Sequence, residues 1–282
     1  MSAAISETAP AKVNLVLHVG PVVPPGGLHE IASLFASLEL VDTVRIGLSD
    51  TGADEVHCSP PIPGLNLAAR ALRDLRDAAP EALIPHLRVD IEKRIPVAAG
   101  LAGGSADAAA VLRAAHSFAK GPLDQGALGR VARDLGSDVP SQMRPANAIV
   151  GGTGELVEPI ALPALELVLV PDRDGLLAGE VFTEAERLGL PRRRVDTGAL
   201  RSLGGAGVDV LGGRCENDLE AAVLSLRPAL AERIERLRSL GAAAALVSGS
   251  GPTVFGVFAN SAAADRAAQT IPEAIRTRAA GS

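Results

Sequence analysis

Four short runs hold the residues of this chain best suited to chemistry: Ala9 to Leu15, Ile95 to Asp107, Leu135 to Pro140 and Leu246 to Phe258. The second reads Ile95-Pro96-Val97-Ala98-Ala99-Gly100-Leu101-Ala102-Gly103-Gly104-Ser105-Ala106-Asp107, three glycines and a serine leading into an alanine-rich segment. Glycine lets a backbone approach a ligand closely and take positive φ. The first turn of a helix offers unpaired N–H groups at the positive end of its dipole, so the layout predicts an anion pocket suited to phosphate. A side chain at Gly103 is expected to intrude on that phosphate. The run fits neither Gly-x-x-x-x-Gly-Lys-Ser/Thr nor Gly-x-Gly-x-x-Gly, and a ligand-free glycine turn is the plain alternative.

Three further groups turn a phosphate pocket into a phosphoryl-transfer site. In the first run, alternation along a strand sends Lys12 and Asn14 to one face and Val13, Leu15 and Leu17 to the other. Lys12 is one of only three lysines, beside Lys93 and Lys120, in a chain that otherwise draws its positive charge from arginine. A compact ammonium suits a crowded phosphate or hydroxyl better than a planar guanidinium. Asp138 sits in a Gly- and Pro-bounded turn, where a carboxylate either satisfies local amides or accepts a substrate hydroxyl proton. Asp107 is a second carboxylate, expected in the first turn of the glycine-run helix and there to favour its dipole. Ser248-Gly249-Ser250-Gly251-Pro252 lies between two apolar strands and predicts a hairpin whose tip can approach a ligand.

These residues need a mixed α and β scaffold. Val89 to Lys93 alternates as a strand, and Ala108, Val111, Leu112, Ala115 and Phe118 recur at spacings of three and four as one apolar helix stripe. Strands are expected over 13–19, 38–48, 148–152 and 165–170, and on both sides of 248–252. Helices are expected over 67–79, 124–135, 181–188, 216–224 and 229–240. The stretch 191–213, with Arg192-Arg193-Arg194, reads as an irregular, solvated surface segment. A division near residue 150 separates an N-terminal domain, 1–150, from a C-terminal one, 151–282.

At 282 residues the chain fills one large domain or two ordinary ones, and 47% hydrophobic residues supply the core. A net charge of -6 argues against nucleic-acid and anionic-membrane partners. Cys58 and Cys215 predict reduced thiols rather than a disulfide framework or zinc site. Met1 to Glu7 lacks the basic and apolar regions of a signal peptide, and no apolar run is long enough to span a bilayer, so a cytoplasmic location is expected.

Pro96-x-x-x-Gly100-Leu101-x-Gly103-Gly104-Ser105, with Lys12, Asp138 and the 248–252 hairpin in the same order, resembles the galactokinase, homoserine kinase, mevalonate kinase and phosphomevalonate kinase (GHMP) superfamily. Further runs cover nearly the whole chain: Leu28-His29-Glu30, Leu34-Phe35, Asn66-Leu67, Lys93-Arg94-Ile95-Pro96 and Glu216-Asn217-Asp218-Leu219-Glu220. They are similar to the branch that phosphorylates the 2-hydroxyl of 4-diphosphocytidyl-2-C-methyl-D-erythritol, in the non-mevalonate route to isoprenoid precursors. The resemblance implies an α+β, two-domain GHMP kinase fold, with a ribosomal-protein-S5-like N-terminal half, a ferredoxin-like C-terminal half and a cleft between them. It implies Lys12 and Asp138 as a catalytic pair. ATP is then bound by Asn66 and Lys93 at the adenosine and by Pro96, Val97, Ala98, Ala99, Gly100, Leu101, Ala102, Gly103, Gly104, Ser105 and Ala106 at the phosphates, with Ser105 also a candidate magnesium ligand. The substrate, a small molecule with a cytidine diphosphate group, is expected at Asn14, His29, Phe182, Ser248, Gly249 and Ser250.

The departures fall on the substrate side. The family's Asp-Gly-Tyr-His is Gly26-Gly27-Leu28-His29 here, so Leu28 stands where a tyrosine would stack on cytosine, and the chain has no Tyr or Trp to replace it. Phe182 matches a second stacking aromatic, whereas Leu177-Ala178-Gly179 lacks the usual hydroxyl residue and Ser141-Gln142 replaces an aromatic pair. The alternatives are another small-alcohol kinase of the superfamily, a silent nucleotide-binding protein and an RNA-binding module on the S5-like fold. Retention of Lys12 and Asp138 opposes silence, and the acidic charge opposes RNA.

Overall fold

The structure is a computed structural model and describes residues 4–62 and 64–280; Met1 to Ala3 of the run read for a leader lie outside them. The chain forms two compact units that interleave along the sequence. One holds the residues up to Ala11, Leu40–Val97 and Ala102–Pro145; the other holds Lys12–Glu39, Ala98–Leu101 and the chain from Ala146 onward. Strands β1 (Ile5–Val23) and β2 (Leu28–Leu48) each pass from one unit into the other. Both outrun the stretches of alternation within them because their middles are buried on both faces, where apolar residues need not alternate.

In the first unit β3 (Glu55–Ser59) runs parallel to β4 (Leu87–Glu92), which pairs antiparallel with β2 from Thr43↔Glu92 to Leu48↔Leu87. Four helices complete it: α1 (Leu67–Ala78), α2 (Gly103–Phe118), α3 (Gln125–Leu135) and α4 (Val139–Gln142). Asn66 caps α1 and Asp124 caps α3, each side chain accepting a first-turn amide. Val44, Ile46, Leu87, Val89 and Ile91 from the strands share one core with Leu72, Leu75, Val111, Leu112, Leu128 and Val131 from the helices. Helix α2 buries more than the single expected stripe: Ala106, Ala109, Ala110 and Ala114 are also buried, their small side chains letting neighbours approach on several sides.

In the second unit β5 (Ala148–Gly152) pairs antiparallel with Ile31 to Phe35 of β2 and with β6 (Leu156–Pro159). The chain continues through β7 (Glu166–Val170), α5 (Ala178–Leu188), α6 (Val208–Gly212), β8 (Glu216–Asn217), α7 (Glu220–Leu226) and α8 (Leu230–Ser239). It ends with β9 (Ala244–Val247), β10 (Val254–Phe258), α9 (Ser261–Thr270) and β11 (Ile275–Arg278). The antiparallel sheet has the order β11-β7-β10-β9, which is 4-1-3-2 in chain order, the ferredoxin-like arrangement.

Two expectations need correction here. The helix expected from Glu216 starts only at Glu220, because Glu216 and Asn217 pair with Val16 and Leu17 of β1 as a short parallel strand. The segment 191–213 is not wholly irregular: it carries a 3-10 turn over Gly198–Leu203 and α6, anchored by buried Leu200, Leu203 and Leu211. Cys58 and Cys215 are free thiols, and burial pushes Cys215 up to about 12.

Candidate active site

In the first unit, helix α2 is entered through Ala102, in left-handed backbone at φ 57° and with no side-chain cap. The first α-helical bond runs from the Ala106 amide to the Ala102 carbonyl. The amides of Gly103, Gly104 and Ser105 therefore precede the helical ladder, as a phosphate site requires. In the second unit, Ala98 at φ 54° and Gly100 at φ 74° are left-handed too. For an alanine this conformation costs about 1–2 kcal/mol. Strain of that kind persists where surrounding structure fixes a working loop.

What fixes the loop differs at its flanks and its middle. At the flanks, fully buried Asp42 accepts the Arg94 and Ile95 amides with Oδ1 and the Lys93 ammonium with Oδ2, all at 2.5–2.8 Å. Lys93 also donates to Asp107 Oδ2 at 2.6 Å, tying the strand end before the loop to the helix after it. Asp107 is thus in the second turn of α2, not the first, and its carboxylate meets Lys93 rather than the helix dipole. Burial pushes the Asp107 carboxyl up to about 7 against the pull of Lys93, and its Oδ1 has no hydrogen-bond partner. Burial opposes the charge on Lys93 as well, yet the two carboxylates raise its pKa. The nearby Asn66 caps α1 with Oδ1 and donates to Cys58 Sγ at 3.2 Å.

The middle of the loop is held by the hairpin. Ser248 Oγ donates to the Gly100 carbonyl at 3.1 Å, and the Thr253 amide donates to the Ala99 carbonyl at 3.2 Å. A Cβ at Gly100 would stand 2.6 Å from the Gly251 carbonyl oxygen and 2.7 Å from that of Ser248, so glycine is required by contact as well as by φ. Thr253, fully buried, leaves its hydroxyl without a partner there. Strand alternation does put Lys12 and Asn14 on one face. Lys12 is 5% exposed, donates to Asn14 Oδ1 at 2.7 Å and lies 4.7 Å from the centre of the Phe35 ring, within cation–π range. Asn14 Nδ2 donates to Ser33 Oγ at 2.8 Å, and Ser33 to the Val16 carbonyl at 2.6 Å. This chain fixes which way the Asn14 amide points. Gly249, at φ 57°, backs it: a Cβ there would lie 3.0 Å from Asn14 Oδ1 and 3.5 Å from Lys12 Nζ.

Asp138 occupies the N-cap position of α4, yet its side chain accepts no amide of that helix. His29 and Phe182 come together, their rings stacked at 5.3 Å and 21°. His29 has both nitrogens engaged, Nδ1 with the Gly20 carbonyl at 2.8 Å and Nε2 with Glu186 Oε1 at 3.1 Å. Leu28 beside it is 51% exposed. Arg192, expected in a solvated loop, forks onto Asp218 with two bonds of 2.7 Å. Residue patterns alone did not reveal Asp42 or Ser33 and gave Asn217, within the Glu216 to Glu220 run, no role; the three hold these groups from 51, 19 and 32 residues away.

Two family models match the chain: the GHMP kinases N terminal domain over residues 66–148 and the GHMP kinases C terminal over 203–277. The curated 4-diphosphocytidyl-2-C-methyl-D-erythritol kinase of Anaeromyxobacter sp. (strain Fw109-5) is 43% identical, the match covering 96% of this chain and 87% of that one. The enzyme of the same name from Kineococcus radiotolerans is 38% identical over 94% and 85%. Among solved structures, a 4-(cytidine 5'-diphospho)-2C-methyl-D-erythritol kinase superposes with a TM-score of 0.79 at 32% identity, covering 98% of this chain and all of the other. A homoserine kinase from Cytophaga hutchinsonii shares the fold alone, with a TM-score of 0.71 at 15% identity.

Proposed function

We propose, from the premise that the chain belongs to the GHMP kinase family, that it transfers the γ-phosphoryl group of ATP to the 2-hydroxyl of 4-diphosphocytidyl-2-C-methyl-D-erythritol. Sequence relatives along almost the full chain support this substrate, and the uncapped start of α2 supports the donor. The observation that carries the chemistry is the buried Lys12-Asn14-Ser33 chain, which holds an ammonium and an amide in fixed directions.

Phosphoryl transfer leaves little covalent work to the protein, so catalysis rests on positioning and charge. The substrate oxygen forms a bond to the γ-phosphorus as the bond to the bridging oxygen breaks and ADP departs. We assign Asp138 to accept the hydroxyl proton, on the match of Gly136-Ser137-Asp138-Val139-Pro140 to the family pattern, and Lys12 to offset charge on the transferring group. The amides of Gly103, Gly104 and Ser105 hold phosphate oxygens, with Asn66 toward the adenosine. Lys93 serves that site from beneath, as the buried tie between the loop's two flanks. In the division into 1–150 and 151–282, the first part carries the nucleotide residues together with Lys12, Asn14 and His29, and the second contributes Phe182 and Ser248 to Ser250.

Magnesium, when bound, neutralises phosphate charge. Among the described residues no cluster of three or more His, Cys, Asp or Glu could hold a metal. The half-buried Ser105 hydroxyl in the first turn of α2 is an oxygen donor of the right kind, and Mg2+ is ordinarily held by phosphates and water with few protein ligands. The residues therefore fit a cation carried in with ATP.

For the cytidine group, Phe182 offers the stacking ring and exposed Leu28 an aliphatic face. The Nδ1 contact of His29 is to backbone, whereas its Glu186 contact is to a half-exposed side chain that can exchange for the cytosine edge. No described helix is long and apolar enough to cross a membrane. An ADP-release assay with the cytidine diphosphate substrate, methylerythritol, homoserine and mevalonate tests the reading. Turnover is expected with the first alone, and Asp138→Asn should lower kcat by about 100-fold with modest change in nucleotide affinity. Equal turnover of methylerythritol would move the function to a different alcohol kinase.

A further inference from the structure

The run Glu216 to Glu220 matches the family pattern, yet the chemistry above gives it no task. We propose that Asn217 is a positioning residue for the transfer step, holding the hairpin tip at the height from which Gly249 backs the Lys12-Asn14 pair. The inference rests on the kinase reading and deepens it.

Asn217 spends its whole side-chain amide on one objective. Its Nδ2 donates to the Val247 carbonyl at 2.9 Å and the Gly249 carbonyl at 2.8 Å, the two that bracket Ser248, while its Oδ1 accepts the Leu219 amide at 3.0 Å. The base of this clamp is firm. Asn217 pairs with Leu17 of β1, five residues after Lys12 on the same strand. The Asp218 amide donates to the Leu17 carbonyl, and Asp218 Oδ2 accepts the Val19 amide at 2.9 Å. Glu220 grips the hairpin a second time, its Oε2 accepting the Val247 amide at 2.9 Å. The motif thus takes its reference from the strand that carries Lys12 and Asn14 and applies it to the loop that touches them.

The tip has no slack on its other sides. It meets Gly100 so closely that a Cβ there would be 2.6 Å from the Gly251 oxygen, and it meets Asn14 so closely that a Cβ on Gly249 would be 3.0 Å away. Loss of the two amide bonds loosens a loop whose backbone lies against both the Lys12-Asn14 pair and Gly100. A shift of a fraction of an ångström then re-aims Lys12 and Asn14, and misplacements near 1 Å can cost about 100-fold in rate.

The test is steady-state kinetics of the full chain, with folding followed by circular dichroism because the chain has no Trp or Tyr. Wild type is measured first: no turnover of the cytidine diphosphate substrate refutes the kinase reading, and this inference with it. With an active wild type, Asn217→Ala should lower kcat by roughly 10- to 100-fold and leave KM for ATP within about threefold. Asn217→Asp keeps the shape and removes both donors, so it should be no better than Ala; recovery in Asp would mean that volume, not donation, matters and would overturn the proposal. A kcat within about twofold of wild type in folded Asn217→Ala also overturns it. If that variant does not fold, Glu220→Ala and Glu220→Gln decide. Loss in Ala with recovery in Gln, which keeps the acceptor for Val247, supports the clamp, and equal kcat in the two refutes it.

Discussion

The glycines at the start of α2 allow the phosphate site to be tested apart from the fold, because the structure separates their roles. A Cβ on Gly103 would lie 2.9 Å from Ile95 Cγ2, 3.2 Å from Ile95 Cβ and 3.3 Å from Lys93 Nζ. It points inward, at a side chain 2% exposed and at the buried ammonium. The expectation that a side chain at Gly103 intrudes first on phosphate is therefore corrected: Gly103→Ala should cost about 1–3 kcal/mol of stability through overpacking, and Gly103→Val more. A Cβ on exposed Gly104 meets only Leu67 Cδ1, at an ordinary 3.6 Å. Gly104→Ala should leave stability unchanged or raise it by up to about 1 kcal/mol, since alanine loses less entropy in a helix. Its methyl nevertheless stands beside the amides assigned to ATP. Displacing one charge-assisted hydrogen bond costs about 1.5–3 kcal/mol, or roughly 10- to 100-fold in affinity. Calorimetric titration with a non-hydrolysable ATP analogue, alongside urea denaturation, reads both effects. A folded Gly104→Ala protein that binds the analogue as tightly as wild type would refute the phosphate assignment.

Two other outcomes follow from the same geometry. Burial lifts Asp107 from 3.8 to about 7, so the native chain holds a proton there that the unfolded chain has released. This contribution to stability is complete below about pH 4 and is lost as the pH rises through about 7, with Lys93, Asp42 and Cys58 the charged or titratable groups around it. Asp107→Asn should shrink the difference in urea midpoint between pH 5 and pH 8, and an undiminished difference would place the titration elsewhere. On the substrate side, Leu28→Tyr should lower KM for the cytidine substrate several-fold by adding a ring–ring contact worth about 0.5–1.5 kcal/mol. Phe182→Ala should raise it, and indifference of KM to both changes would remove the pyrimidine from this place.

What the sequence made legible was local. The 3.6-residue spacing found α1, α2 and α3, the turn at Gly249 and Gly251 found the β9–β10 hairpin, and period two put Lys12 beside Asn14. Each depends on residues within a turn or two of one another. The misjudged groups are those whose partners lie far along the chain. Asp107 sits where an acid near a helix start should serve the dipole, but a buried ammonium 14 residues away attracts it more strongly than a diffuse partial charge. Glu216 and Asn217 begin an apparently helical run, but Val16 and Leu17 of β1, some 200 residues earlier, claim them for a sheet. No local propensity, worth a few tenths of a kcal/mol, competes with two ladder positions and a clamp on the hairpin.

The same distinction explains why the sequence speaks more plainly of a phosphate site than of an acceptor site. A phosphate site is built from backbone, and a backbone that takes positive φ at Gly100 and leaves room beside the first amides of α2 at Gly104 announces itself through glycines. Cytosine is bound by side-chain faces, and here the matched positions hold an exposed leucine and a histidine already committed to Gly20 and Glu186. Stacking of His29 on Phe182 gives the pair a defined shape without the base, so one face of the ring that would take cytosine is spent within the protein. In the proposed site, recognition then depends on the remaining face of Phe182, the aliphatic surface of Leu28 and the exchange of the Glu186 contact. Each of these can change while the transfer machinery stays intact, because Phe182 and Glu186 lie on α5 and Leu28 at the very start of β2, whereas Lys12 and Asn14 are fixed by Ser33 and the hairpin. On the proposed assignment, specificity therefore rests on a separate set of side chains from those that hold the reacting groups.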